Sequence, residues 1–82
     1  MDENVVQRAF RLATEKLDSM AIVCGILNVS NAYAYNAMKT GELSLPCSLK
    51  MEILIDGEIS WRELCPKVDQ ELKAVEARLA RY

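Results

Sequence analysis

The stretch MAIVCGILNVSNAYAYNAMK, residues 20–39, decides the fold. Met20 to Leu27 is an unbroken apolar run of helical length, and Asn28-Val29-Ser30 breaks it. Asn tolerates a left-handed turn better than most residues with a side chain, and a Ser oxygen can accept a bond from a free first-turn N–H, so Ser30 opens a second helix over Asn31 to Lys39. Thr40-Gly41 closes that helix. Two short helices joined by a turn of about three residues leave room only for a tight helix-turn-helix or an αα-hairpin. Val23, Cys24 and Leu27 on the first helix, Val29 in the turn, and Ala34 and Ala37 on the second are the small and apolar positions where the two would cross closely.

Upstream, Val5 to Leu17 places Val6, Ala9, Phe10, Ala13 and Leu17 at helical spacing, with Arg8, Arg11, Glu15 and Lys16 elsewhere around the wheel. Either Asp18 or Ser19 can cap the helix that starts at Met20. Downstream, Ser44 followed by Pro46 predicts a fourth helix over Leu45 to Leu54, because a first-turn proline loses no intrahelical bond. The competing reading is a hairpin, with Ile53-Leu54-Ile55 turning at Asp56-Gly57 into Glu58-Ile59-Ser60. Ser60-x-x-Glu63 has the form of a capping box, opening a short fifth helix through Trp61 and Leu64 that Pro66 ends, with Trp61 as its anchor. The last segment, residues 68–82, carries Val68, Leu72, Val75, Leu79 and Tyr82 at alternating steps of four and three, a heptad-like seam. The chain therefore reads as one all-α domain of five to six helices over residues 1–82, with no internal repeat.

Composition narrows the function. Eighty-two residues are too few for two self-sufficient cores, and 51% apolar with 27% charged residues fits a folded helical domain. The chain has no histidine, which removes Ser-His-Asp and Cys-His catalysis, His-ligated zinc and a His-based pH switch. Cys24, Cys47 and Cys65 are an odd number without C-x-x-C spacing, so they read as small apolar residues of a cytosolic protein rather than a disulfide framework or metal site. Asp56, Glu58 and Glu63 are the densest acidic group, yet paired-carboxylate catalysis needs a cleft, and a solvated loop and cap are the simpler account. No catalytic, cofactor-binding or metal-ligating residue is assigned. The start Met1-Asp2-Glu3-Asn4 is acidic where a signal peptide is basic, and no apolar run approaches the ~20 residues of a membrane span, so a cytoplasmic protein is expected.

The spacing of residues 20–39 resembles the DNA-binding helix-turn-helix of the lambda-repressor-like, Cro-type proteins of bacteriophages. Leu27-Asn28-Val29-Ser30-Asn31 is similar to that family's Leu-Gly-Val-Ser-Gln turn. Asp56-Gly57-Glu58-Ile59-Ser60-Trp61-Arg62-Glu63-Leu64-Cys65-Pro66 is similar to the Gly-x-Val-Thr-x-x-x-Leu-x-Pro ending of small prophage Cro-like regulators. The resemblance covers roughly residues 9–68 and has no counterpart for the final helix. It implies a transcriptional regulator, such as a repressor, that binds double-stranded operator DNA as a dimer in a bacterial host cell.

Charge patterning bears on that expectation. The net charge is −2, yet the 22 residues from Ser19 to Thr40 contain no acid and one cation, Lys39. An acid-free surface in an acidic protein suits a phosphate backbone, although a stretch that is simply buried would look the same. With Ala34 and Ala37 facing the core, Ser30, Asn31, Ala32, Tyr35, Asn36 and Lys39 point outward and Tyr33 lies to one side. Asn31 and Asn36 can each offer adenine a donor and an acceptor, Ala32 can meet a thymine methyl, and Ser30, Tyr35 and Lys39 can bind phosphate. Tyr33 and Tyr35 could instead pack partly in the core or serve a protein interface. Arg8, Arg11 or Lys16 would supply further backbone contacts. The seam Val68, Leu72, Val75, Leu79 and Tyr82 is expected either to dimerise the chain or to pack on the first helix. A rival reading keeps the same fold as a protein-interaction module, such as an antirepressor, an antitoxin or an inhibitor of a host defence complex. It accommodates the acidic balance, the arginine-free second motif helix and the tyrosines.

Overall fold

Asn4 begins the first helix with a reciprocal pair of hydrogen bonds. Its Oδ1 accepts from the Gln7 N–H at 2.8 Å, while Gln7 Oε1 accepts from the Asn4 N–H at 2.9 Å. This capping box satisfies donors that the first turn leaves without partners. The computed structural model describes residues 2–82, in which six helices follow: α1 (Val5–Leu17), α2 (Met20–Leu27), α3 (Asn31–Thr40), α4 (Leu45–Leu54), α5 (Trp61–Leu64) and α6 (Pro66–Leu79). No strand occurs among the described residues, so the fold is all-α with six helices, as the periodicity predicts.

The helix ends follow from residues that accept a left-handed backbone. Asp18 terminates α1 at φ 60°, donating its N–H to the Thr14 carbonyl, and Ser19 caps α2 by accepting from the Ile22 N–H at 3.3 Å. Asn28 ends α2 at φ 59°, Ser30 caps α3 by accepting from the Tyr33 N–H at 3.0 Å, and Gly41 caps the far end at φ 81°, so that α3 runs to Thr40, one residue beyond the expected Lys39. At φ 59° a Cβ-bearing residue without a short polar side chain is strained. Asn28→Ala is therefore expected to cost about 1–2 kcal/mol and Asn28→Gly nearly nothing, as read by urea denaturation.

Between Leu54 and Ser60 the helix reading prevails over the hairpin. Asp56 (φ 56°) and Gly57 (φ 77°) take the two positive angles a hairpin turn needs, but the Gly57 N–H donates to the Glu52 carbonyl at 2.8 Å and so closes α4. The expected capping box at Ser60 and Glu63 does not form. Ser60 holds the cap position without a side-chain bond, and Glu52 reaches across from α4 instead, its Oε1 accepting from the Trp61 N–H at 2.9 Å. Trp61 is not the anchor of α5 either: it lies half-buried under the Arg62 guanidinium, 4.7 Å from the ring centroid, and the fully buried Leu64 anchors the helix. Pro66 ends α5 and also starts α6, two residues before the expected Val68.

One core joins α1 to α5. Val6, Ala9, Phe10 and Ala13 of α1 meet Val23, Cys24 and Leu27 of α2, Ala34 and Ala37 of α3, Met51 of α4 and Leu64 of α5, with Leu43, Ile55 and Ile59 filling in from the loops. The alanines matter because α1, α2 and α3 all pack together at once, and close approach of helices needs short side chains. Met20 and Met38 sit at the rim of this core, while Met51 is fully buried.

The final helix behaves differently. Its main neighbour is α5, it does not lie along α1, and no residue of α6 is buried. The described chain is accordingly elongated, 49 × 26 × 21 Å. Asp69 fastens the start of α6, accepting from Arg62 Nη1 at 2.7 Å and pairing with Lys73 Nζ at 3.1 Å. Hydrogen bonds from Arg62 and then Lys73 hold its carboxyl below the usual carboxylate range. A lowered native pKa contributes stability in full above about pH 4, where the unfolded group is ionised, and the contribution is lost as pH falls through the native value. Acid titration is expected to loosen α6 in that window, with amide exchange along residues 66–79 rising, and Asp69→Asn is expected to remove the pH dependence of that exchange.

Candidate nucleic-acid interface

The arrangement of α3 follows from what holds its two ends. At the start, Ser30 caps the helix and leaves the remaining first-turn N–H groups open to solvent. At the end, Asn4 Nδ2 donates to the Met38 carbonyl at 2.7 Å, so the residue that starts α1 also ties down the last turn of α3. In the middle, Ala34 and Ala37 are buried against the core. These constraints fix the rotation of the helix. Ser30, Asn31, Ala32, Tyr35, Asn36 and Lys39 all emerge on the exposed side, with Tyr35 at 60% exposure.

Tyr33 stands apart. It is half-buried against the core, and its hydroxyl accepts from the Ser44 N–H at 2.9 Å, bracing the start of α4 against α3. The hydroxyl retains its own hydrogen to donate. Tyr33 thus has a packing duty, whereas Tyr35 has none.

The exposed face carries hydrogen-bonding groups. It offers two carboxamides, one hydroxyl, one phenol, one methyl and one ammonium, and no carboxylate lies on α2 or α3. Among the described residues no three His, Cys, Asp or Glu side chains are grouped to hold a metal ion. Cys24, Cys47 and Cys65 are buried as free thiols, and burial pushes the Cys24 thiol up from its ordinary value, opposite to what a nucleophile requires.

The cations expected from α1 divide. Arg11 pairs with Glu3 at 2.9 Å and Glu15 at 3.3 Å, and Lys16 pairs with Asp56 at 2.9 Å while also donating to the Leu54 carbonyl. Both are engaged within the fold. Arg8 is exposed and makes no ion pair among the described residues, so it is the α1 cation left for an outside anion.

Two features were not foreseen from the sequence. The first is Asn4, whose signal was present in the Asn4-x-x-Gln7 spacing. The second is the outer face of α2, where Ile22 and Ile26 are 50% and 47% exposed. Val23, Cys24 and Leu27 are buried as expected, but an eight-residue helix with no polar side chain gives no sign that its opposite face stays uncovered. Of the expected dimer seam, Val68 is half-buried, while Leu72, Val75, Leu79 and Tyr82 are exposed.

Comparison with protein-family models, curated proteins and solved structures gives no match to this chain. No helix among the described residues is long and apolar enough to cross a membrane.

Proposed function

We propose that the chain is a small Cro-type transcriptional regulator of a phage or prophage, acting in the cytoplasm of the bacterial host. It binds double-stranded operator DNA through α3 and represses by occupying promoter sequence. The observation that carries this reading is the face of α3: Ser30, Asn31, Ala32, Tyr35, Asn36 and Lys39 exposed together, with Ala34 and Ala37 buried behind them. A helix entering the major groove needs such a face, polar, free of carboxylates and held rigidly from behind. In this reading Asn31 and Asn36 read bases, Ala32 meets a thymine methyl, and Ser30, Tyr35, Lys39 and the donor hydrogen of Tyr33 serve phosphates. Arg8 adds a further contact. The reaction is equilibrium binding, and a homodimer presents two copies of α3 to two half-sites.

A second reading, the protein-interaction module, is favoured by a specific observation. Ile22, Ile26, Tyr35, Leu49 and Ile53 are exposed, and Ile53 is 77% so, while Arg11 and Lys16 are engaged in internal ion pairs. A salt titration against pooled random duplex DNA separates the two. The regulator is expected to bind at low salt and lose affinity steeply toward physiological salt, because each phosphate contact releases counterions. Absence of binding even at low salt overturns it in favour of the interaction module.

A further inference from the structure

The seam on α6 has no cover within the chain, and its charges select both a partner and an orientation. Placed in a heptad, Leu72 and Leu79 take the a positions and Val68 and Val75 the d positions, while Tyr82 follows in the turn past Leu79, where α6 ends. Asp69 and Glu76 then occupy e, and Glu71 and Arg78 occupy g. Charges at e and g flank the seam and decide which way a second helix can lie.

Two parallel copies would set Glu71 of each beside Glu76 of the other, with no attraction in return. Antiparallel copies bring g against g and e against e. If Val68 faces Leu79 and Leu72 faces Val75, Glu71 of each copy meets Arg78 of the other, twice by symmetry. Asp69 then lies near Glu76, but Asp69 already holds Arg62 and Lys73 at 2.7 and 3.1 Å, so its charge is offset within its own chain. A slip by one heptad in either direction removes the attraction. It sets Arg78 on Arg78 and Glu76 on Glu76, or Asp69 on Asp69 and Glu71 on Glu71.

The favoured register has a second consequence. It brings the turn that follows Leu79, and with it Tyr82, 98% exposed, toward Cys65 at the start of α6 in the other copy. There the chain has a cleft of about 450 Å³ at the base of α6, whose apolar lining includes Leu43, Leu45, Cys65, Pro66 and Val68. The seam and the cleft adjoin at Val68, and Glu42, Lys67 and Glu71 at the cleft's edge give a phenol hydroxyl polar partners. Four seam layers alone make a short contact, and filling the cleft extends it toward the ~1,200 Å² at which stable interfaces begin.

We propose that two copies of this chain pair through antiparallel α6 helices, with Glu71 bonded to Arg78 across the axis and Tyr82 of each copy seated in the cleft of the other. This pairing supplies the partner surface of the homodimer proposed for operator binding and rests on that reading only for the dimer, so it is tested without DNA.

The experiment is sedimentation equilibrium on the full chain and its exposed-charge variants, with circular dichroism confirming that each keeps its helix content. Glu71→Arg and Arg78→Glu are each expected to raise the dimer dissociation constant about tenfold or more, since two ion pairs become two repulsions. The double variant is expected to return to within about threefold of the original, as the pair is restored with its signs exchanged. Tyr82→Ala is expected to weaken the dimer about tenfold while leaving the charge pattern intact. A parallel dimer gives the opposite sign for Glu71→Arg, which would tighten by meeting Glu76, and that result overturns the proposal. So does a chain that remains monomeric, or a dimer indifferent to both charges. Dimerisation as stated by a chain that binds no random DNA would uphold this pairing and overturn the operator reading alone.

Discussion

Phe10→Ala is expected to lower the unfolding free energy by about 3–5 kcal/mol, the cost of truncating a buried aromatic residue whose surroundings only partly collapse. Small domains have about 5–15 kcal/mol in total, so this one change takes a large share of the stability. Phe10 is 1% exposed and is the largest of the fully buried side chains. It belongs to the helix that contacts α2, α3, α4 and α5, so the void opens inside the shared core rather than at an edge. The measurement is urea denaturation with the slope held in common. A loss below about 1 kcal/mol would mean that α1 is not the centre of the core.

Asn31→Ala and Asn36→Ala are each expected to weaken binding to a selected operator by about 1–3 kcal/mol, with discrimination lost chiefly at the base pair each residue contacts. Both side chains are exposed, so the variants should fold as the parent does and the loss should appear in affinity alone. Lys39→Ala is the contrasting case. A phosphate contact carries no sequence information, so affinity should fall about equally for all duplexes and the salt slope should decrease by about one. Fluorescence anisotropy across several salt concentrations distinguishes these outcomes. If the asparagine variants bind as the unsubstituted chain does, α3 is not the reading helix.

The secondary structure was legible because its punctuation is local. Asn28, Ser30, Thr40-Gly41, Pro46 and Pro66 each act within one turn of their own position, and the helix ends they set fall within two residues of expectation, whereas α6, with no such signal at its far end, stops at Leu79, three residues short of the expected Tyr82. The exposed side of α3 was legible for a related reason: two alanines at a spacing of three mark the buried side, and the polar residues must take the other. What failed depends on partners distant in sequence. The Ser60-Glu63 spacing matches a capping box, but neither side chain bonds across it, and the first turn is served by Glu52, eleven residues before Glu63, which accepts from the Trp61 N–H. Arg11 and Lys16 look available as cations until Glu3 and Asp56 are placed beside them. The covered face of α2, by contrast, was legible from its crossing with α3, since Val23, Cys24 and Leu27, the positions expected there, are the ones that are buried. For the C-terminal seam, spacing showed that a partner surface is needed, and only the path of α6 away from α1 showed that the chain does not supply one itself.

The three buried thiols give this protein native reporters of its own breathing. Cys24 lies in α2, Cys47 in α4 and Cys65 at the junction of α5 and α6, each at most 6% exposed. A thiol reagent can reach each one only when its surroundings open, so labelling rates followed residue by residue by mass spectrometry would rank the openings of three regions without any substitution. In the monomer, where no second copy fills the cleft that Cys65 lines, Cys65 should be labelled first and Cys24, packed in the core, last.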